Sequence, residues 1–224
     1  YFKSIGLNYG KNPGEASGSN NYIPVAKLEI KDIIDESSKE VEHVGNIVEK
    51  RAESLAKVLS RGKSTLTDHL TYSIRELIRN VVEHSQAECI WYAGQCWPTY
   101  DIVEIAILDE GIGIKNSLIK NPTYRSVIQN DENALLYAIK PGVTSAFGKK
   151  DPYDEWANSG YGLYVTSQLC TQGGDFFICS NEKALYIDNS GIKTYNVSIN
   201  GTAIRMRLHI SRIKDLSVPK IVKE

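Results

Sequence analysis

Cysteine is scarce in this chain. Cys89, Cys96, Cys170 and Cys179 are the only four in 224 residues, and no two form a C-x-x-C pair. That spacing disfavours a zinc site, and so few thiols in so long a chain are no disulfide scaffold. Reduced thiols in a cytoplasmic protein are the expectation. Charge of one sign is also missing. The net charge is −1, and no long basic block interrupts the sequence, so no nucleic-acid groove is expected. No run of about 18 apolar residues occurs, which argues against a membrane-spanning helix. A signal-peptide pattern is absent, and the chain opens on Tyr1 rather than Met, as a fragment or trimmed chain would. Beyond the Gly-, Asn- and Ser-rich opening at 1–20, no repeat or low-complexity tract stands out.

What remains is core-forming material. Hydrophobic residues make up 42% and charged residues 24%, a balance that favours a folded core over disorder. Residues 1–34 read as an extension of loop and short strand, with Pro24 demoting the strand to an edge. A helix is predicted over 37–60, with Ser37 and Glu40 at capping-box spacing and a stripe of Val41, Val44, Val48, Leu55 and Leu59. A second is predicted over 66–85, where Leu66, Leu70, Ile74, Leu77, Ile78 and Val81 share one arc. "CIWYA" and "DIVEIAIL" read as a hairpin around Pro98. Residues 114–159 read as loop with one short helix, "DENALLYAIK", stopped by Pro141. A helix then follows Gly162 and ends at Gly173-Gly174. The rest is strand-rich: "FFICS", "ALYI", "TYNVSI" and "TAIRMRLHI". In the last, Ile204, Met206, Leu208 and Ile210 alternate with Arg205, Arg207 and His209, the pattern of a half-buried strand. The element order predicts an α+β two-layer sandwich, helices on one mixed sheet, with a tail at 213–224. Trp91, Trp97 and Trp156 are expected in the core or in loop packing.

Two nucleotide-binding patterns fail. "ILDE" at 107–110 is shaped like a Walker B strand end, but "RGKST" at 61–65 lacks the first Walker A glycine, since Lys57 holds that position, and it lies between two helices. Gly160-x-Gly162 has no third glycine three residues on, so the dinucleotide fingerprint is also missing.

Four short stretches carry the chemistry. In "RELIRNVVEHS", Glu76, Asn80 and His84 recur every four residues along one helix edge. The Asn amide oxygen can hold a hard cation such as magnesium, and the carboxylate can take a proton from water. Asp109 ends an apolar strand, followed by Gly111 and Gly113. An acid there can accept a bond from an exocyclic amine such as adenine N6, and the glycines permit close backbone approach to a flat ring. Gly160 and Gly162 lead into a helix whose first amides suit phosphate. Gly201 and Thr202 begin the last long strand.

Each stretch alone has a plain structural explanation, but the ordered set resembles the GHKL superfamily of gyrase-type ATPases, ATP-driven chaperones, histidine kinases, mismatch-repair ATPases and anti-sigma-factor kinases. "RELIRNVVEHS" is similar to its N box, "DEGIGI" to its G1 box, "SGYGLYVTSQL" to its G2 box and "GTAIRMRL" to its G3 element. "AIKPGVTSAF" resembles a lid segment of the kinases. The likeness runs over 37–210 and implies a Bergerat-type ATP-binding domain at 35–212. It implies that Asp109 reads the adenine amine with Thr202 in support, and that Gly111 and Gly113 shape the base pocket. Asn80 would hold Mg2+ and Glu76 would polarise the attacking water or hydroxyl. Gly160, Gly162 and the Leu163 amide would meet the phosphates of ATP, and residues 114–159 would form a lid. Thr144 and Ser145 would reach phosphate or cap a turn, and His84 would stack near the nucleotide or satisfy helix-end carbonyls.

The pattern departs from many kinases at Glu83, where a basic residue would stand; Lys149 and Lys150 could supply that charge. The resemblance leaves three activities open. One is an ATPase switch signalling to a partner protein or flanking domain. Another is a protein kinase, although the surroundings of His43 do not resemble a phosphoacceptor helix. The third is a nucleotide-binding module without turnover. A homodimer is one assembly it allows.

Overall fold

The computed structural model describes residues 19–146 and 160–213. Lys149, Lys150, Trp156 and the larger part of the tail lie outside the described residues. Among the described residues, seven strands form one sheet: β1 (Tyr22–Glu29), β2 (Cys89–Trp97), β3 (Ile102–Asp109), β4 (Gly174–Ser180), β5 (Lys183–Asp188), β6 (Gly191–Asn196) and β7 (Thr202–His209). Their spatial order is β1-β2-β3-β7-β4-β5-β6. The helices are α1 (Ile30–Glu40), α2 (Val44–Ser60), α3 (Ser64–Asn80), α4 (Gly113–Leu118), α5 (Asp131–Ala138) and α6 (Gly162–Gly173). Helices stack on one face of the sheet, the two-layer α+β sandwich that the element order predicts.

The sheet is antiparallel at every described pairing rather than mixed. The physical reason lies in β7. It pairs antiparallel with both β3 and β4, so those two run the same way. A mixed sheet would need them adjacent, and β7 is interposed between them.

The predicted helix over 37–60 is two helices. Val41 takes a left-handed conformation with φ 54°, ends α1 and is 92% exposed. Ser37 does not cap a start; its hydroxyl donates to the Glu42 carbonyl at 2.5 Å. His43 sits outside either helix as the N-cap of α2, where Nδ1 accepts the Gly45 amide at 3.1 Å. The buried stripe of α2 is Ile47, Val48, Ala52, Ala56 and Leu59. The stripe predicted for α3 matches, with Leu66, Leu70, Ile74, Leu77, Ile78 and Val81 all buried. α2 lies over β1, β2 and β3 and α6 over β4, β5 and β7, and with α3 they form one continuous core with Ile90, Val103, Ile105, Phe176, Ile178, Met206 and Leu208 of the sheet.

Sheet and helices both begin before residue 35, since β1 pairs with β2 and α1 starts at Ile30. Residues 113–146 are more ordered than a loop. α4 and α5 enclose a second apolar cluster of Leu118, Ile128, Ala134 and Ala138, against which Val143 and Leu163 pack. The sequence hides α4 because it is short and opens on a glycine. Trp91 and Trp97 are only half-buried. Trp91 pairs in register with Lys27 and Leu108, with the Lys27 ammonium 5.8 Å from its ring centroid. Glu104 on β3 bonds Arg205 and Arg207 on β7, and Arg205 also meets Asp175 on β4. None of the described helices is long and apolar enough to cross a membrane.

Candidate functional site

The C-terminal ends of β3 and β4 meet the N-terminal end of β7, because Asp109 and Ser180 both pair in register with Thr202. An open cleft lies here, walled by both the sheet and the helical layer. Leu77, Val81, Ile107, Ile114, Leu118 and Ile204 give it apolar walls.

Asp109 stands in this cleft and is only 4% exposed. Its inward position follows from strand alternation with Val103, Ile105 and Ile107. Burial pushes its carboxyl up to about 6, against the opposing pull of the Gly111 and Thr202 backbone amides. The Gly111 amide donates to Oδ1 at 2.9 Å. Gly111 itself is not part of the wall. It lies where a β-carbon would come within 2.8 Å of Asp109 Oδ1 and overlap the Ser85 carbonyl, so only glycine fits between strand end and helix. The Ser85 carbonyl also accepts the Ile112 amide at 2.8 Å. Ser180 completes this corner: its buried hydroxyl donates to Gly201 O at 3.0 Å, accepts the Ile114 amide at 2.9 Å, and lies 3.4 Å from Thr202 Oγ1.

Asn80 and His84 line the same cleft from the helical layer. The regular α-helix stops at Asn80, and residues Val81–Ser85 widen into a π turn. Such turns are frequent where a helix carries a functional group. His84 Nδ1 lies 3.0 Å from Ser145 Oγ, and its Nε2 lies 3.4 Å from Glu83 Oε2. Burial lowers its pKa against the raising effect of Glu83, which favours neutral imidazole. Glu83 also accepts a 2.6 Å bond from Arg79 Nε.

Gly160, Gly162 and Leu163 form a third wall, with Gly113, Thr144 and Thr202 also lining the cleft. α6 has no side-chain cap at its start, so its first-turn amides and positive dipole end suit an anion. Residues 142–146 are tied down beside it. Gly142 N–H donates to Gly160 O at 3.1 Å, and Asn121 Nδ2 donates to the carbonyls of Thr144 and Ala146 at 3.2 and 3.1 Å.

Glu76 is the exception. It is buried, does not line the cleft, and packs behind Gly162, where a β-carbon would approach its Cδ to 2.9 Å. Its Oε1 accepts from Arg75. Sequence reasoning therefore picks out ten residues that share one cleft, Ser145 among them, and two, Glu76 and Gly111, that do not line it. It misses Ser85, Ser180, Asn121 and Arg75. Ser180 could have been found from its parity with Phe176 and Ile178 on an apolar strand. The partners of Asn121 are set by tertiary packing.

The fit of a metal nucleotide can be judged from the donor set. No Lys or Arg lines the cleft among the described residues. A polyphosphate there would depend on α6 amides and on a cation, for which the Asn80 amide oxygen is a suitable hard donor. The sequence matches no protein-family model and no curated protein.

Proposed function

We propose that this chain is a Mg-ATP-binding domain of the histidine kinase-like, GHKL type, which hydrolyses ATP and so switches a lid against a partner domain or protein. The observation that carries the reading is that Asp109, from the sheet, and Asn80, from the helical layer, wall one cleft. These are the two groups that the sequence pattern assigns to opposite ends of the nucleotide.

Each wall has a chemical role in this reading. Ionised Asp109 accepts the exocyclic amine, and Thr202 flanks it. The apolar side chains sandwich the purine, and Asn80 would hold magnesium. That ion would neutralise phosphate charge, which no described cationic side chain in the wall can do. The first turn of α6 binds phosphate oxygens through its amides. In hydrolysis, water forms the new bond to the γ-phosphorus, the bond to the β,γ-bridging oxygen breaks, and ADP leaves with that electron pair. Glu76 receives the water proton. Thr144 and Ser145 line the cleft and belong to residues 114–159, the span that the resemblance assigns to the lid.

A second reading, nucleotide binding without turnover, is favoured by one observation: Glu76 lies behind Gly162 rather than in the wall. Calorimetric titration with ATP, with and without magnesium, tests the common part. Wild type is expected to bind more tightly with the metal, and Asn80→Ala to lose that metal-dependent gain. No heat and no displacement of a fluorescent adenine nucleotide would refute both readings. Phosphate release by wild type and Glu76→Ala separates them.

A further inference from the structure

The two edges of the sheet differ. At β1 the register with β2 shifts between Ile23 and Ala26, around Pro24, and proline and irregularity both blunt an edge. At β6 the register with β5 runs unbroken from Gly191–Asp188 to Asn196–Lys183, and the strand holds no proline. Among the described residues β5 is its only neighbour. All six residues of β6 are exposed, with Ile192 and Tyr195 each at 49%.

The ladder decides which backbone groups of β6 face outward. The Val197 amide donates to the Glu182 carbonyl at 3.0 Å, toward β5. In an antiparallel pair alternate residues turn both backbone groups to the same side. Lys193 and Tyr195 therefore bond β5, while Ile192, Thr194 and Asn196 turn N–H and C=O to the open side. Side chains alternate as well. Ile192 and Thr194 lie opposite Ile187 and Leu185, which are buried in the core beneath the helices. Lys193 and Tyr195 stand on the other face, where the Lys193 ammonium is 6.0 Å from the Tyr186 ring centroid.

A second copy fits this edge in one register. With Thr194 opposite the second copy's Thr194, every outward residue of β6 exchanges both its bonds, Thr194 with Thr194 and Ile192 with Asn196. Lys193 then faces the second copy's Tyr195 in a non-hydrogen-bonded pair, where side chains approach most closely and a cation meets an aromatic face. A slip that sets Lys193 opposite Lys193 leaves Asn196 beyond the partner strand and opposes like charges, which is destabilising. The slip that sets Tyr195 opposite Tyr195 leaves Ile192 beyond it.

We propose that β6 is an interface with a second copy of this chain, the two strands pairing antiparallel about Thr194 so that two sheets become one. None of its residues lines the cleft, so pairing and nucleotide binding are separable. So short a strand makes a small interface, and association is therefore weak and concentration-dependent.

Sedimentation velocity on the whole chain, from micromolar to millimolar concentration and without nucleotide, tests this. Wild type is expected to double its mass over that range. Thr194→Pro is expected to stay monomeric with its melting temperature little changed, because the lost N–H faces away from β5. Tyr195→Lys sets two ammonium groups opposite each other and should also abolish pairing. Adding Lys193→Glu to it replaces repulsion with an opposite-charge pair and should restore the dimer. The native cysteines are all buried, so disulfide trapping reads the register. Under mild oxidation an equimolar mixture of Lys193→Cys and Tyr195→Cys should yield a cross-linked dimer holding one of each, and neither variant alone should. Wild type that stays monomeric throughout overturns the proposal and leaves the edge to an extended segment of a different protein. A dimer that survives Thr194→Pro also overturns it, as does a single cysteine variant that cross-links as readily as the mixture. Should Thr194→Pro fail to fold, the cysteine mixture decides.

Discussion

Gly162 and Glu76 are packed face to face, so that a β-carbon on the glycine would overlap Oε2 and stand 2.9 Å from Glu76 Cβ. The contact lets α6 start directly above the carboxylate on α3. Gly162→Ala must therefore shift one helix or turn the glutamate. Overpacking of this kind costs about 1–3 kcal/mol, or a melting temperature lower by roughly 2–12 °C in a domain this size. Gly142→Ala is the control, because its β-carbon meets nothing within 4 Å and only its φ of +76° opposes substitution. Thermal melts should place Gly162→Ala below that control, and phosphate release should fall further than stability alone explains.

Gly201 makes a harder demand. Its φ is +87°, and a β-carbon would come within 2.8 Å of Asp109 C and Glu110 Cα, both backbone atoms that cannot swing away. Gly201→Ala combines an unfavourable conformation with a backbone clash. It is expected to be the most destabilising of the three alanine variants in a denaturant titration.

Asp109 is held in a state that opposes folding at neutral pH. Its carboxyl has a folded pKa of about 6 against an ordinary 3.8, chiefly through burial. The folded protein thus binds this proton more readily than the unfolded chain. The favourable contribution of protonated Asp109 is complete below pH 3.8 and is lost as pH rises through about 6. Above that, the buried charge costs on the order of 3 kcal/mol. Asp109→Asn should raise the melting temperature at pH 7.5, and the gain over wild type should shrink as pH falls below 6. The same variant should bind ATP about tenfold more weakly, since a charge-assisted bond is replaced by a neutral one.

Binding should carry the same titration with opposite sense. Adenine amine recognition requires the ionised carboxyl, so wild-type affinity for ATP should be flat above pH 7 and decline as pH drops below about 6. Calorimetry between pH 5 and pH 8 would measure it, with Asp109→Asn showing a smaller dependence over that interval. Burial lowers the pKa of His84, so its imidazole adds no charge change above the ordinary histidine range.

Asn121 is 7% exposed and bridges α4 to the carbonyls of Thr144 and Ala146. Asn121→Ala leaves those carbonyls without this donor and loosens the chain where it leaves the cleft mouth. Release of a fluorescent ATP analogue, followed by stopped flow, should become several-fold faster, with association little changed.

Local pattern in the sequence determined much of this protein. The apolar arc of α3, the alternation in β7, the hairpin around Pro98 and the glycine at the head of α6 each depend on residues close in sequence, so periodicity exposes them. Local pattern also marked Asp109, Asn80 and Gly162 as chemically suggestive. Only tertiary structure decided which of them meet. The insertion of β7 between β3 and β4 is a long-range pairing, invisible to periodicity, and it both made the sheet antiparallel and brought Thr202 beside Asp109 and Ser180. The left-handed turn at Val41 ran against the propensity of a β-branched residue, so a single helix was the natural expectation there. The burial of Glu76 behind Gly162, with Arg75 bridging to Glu49 on another helix, follows from how α2, α3 and α6 pack. No spacing within one helix encodes a contact that three helices make together.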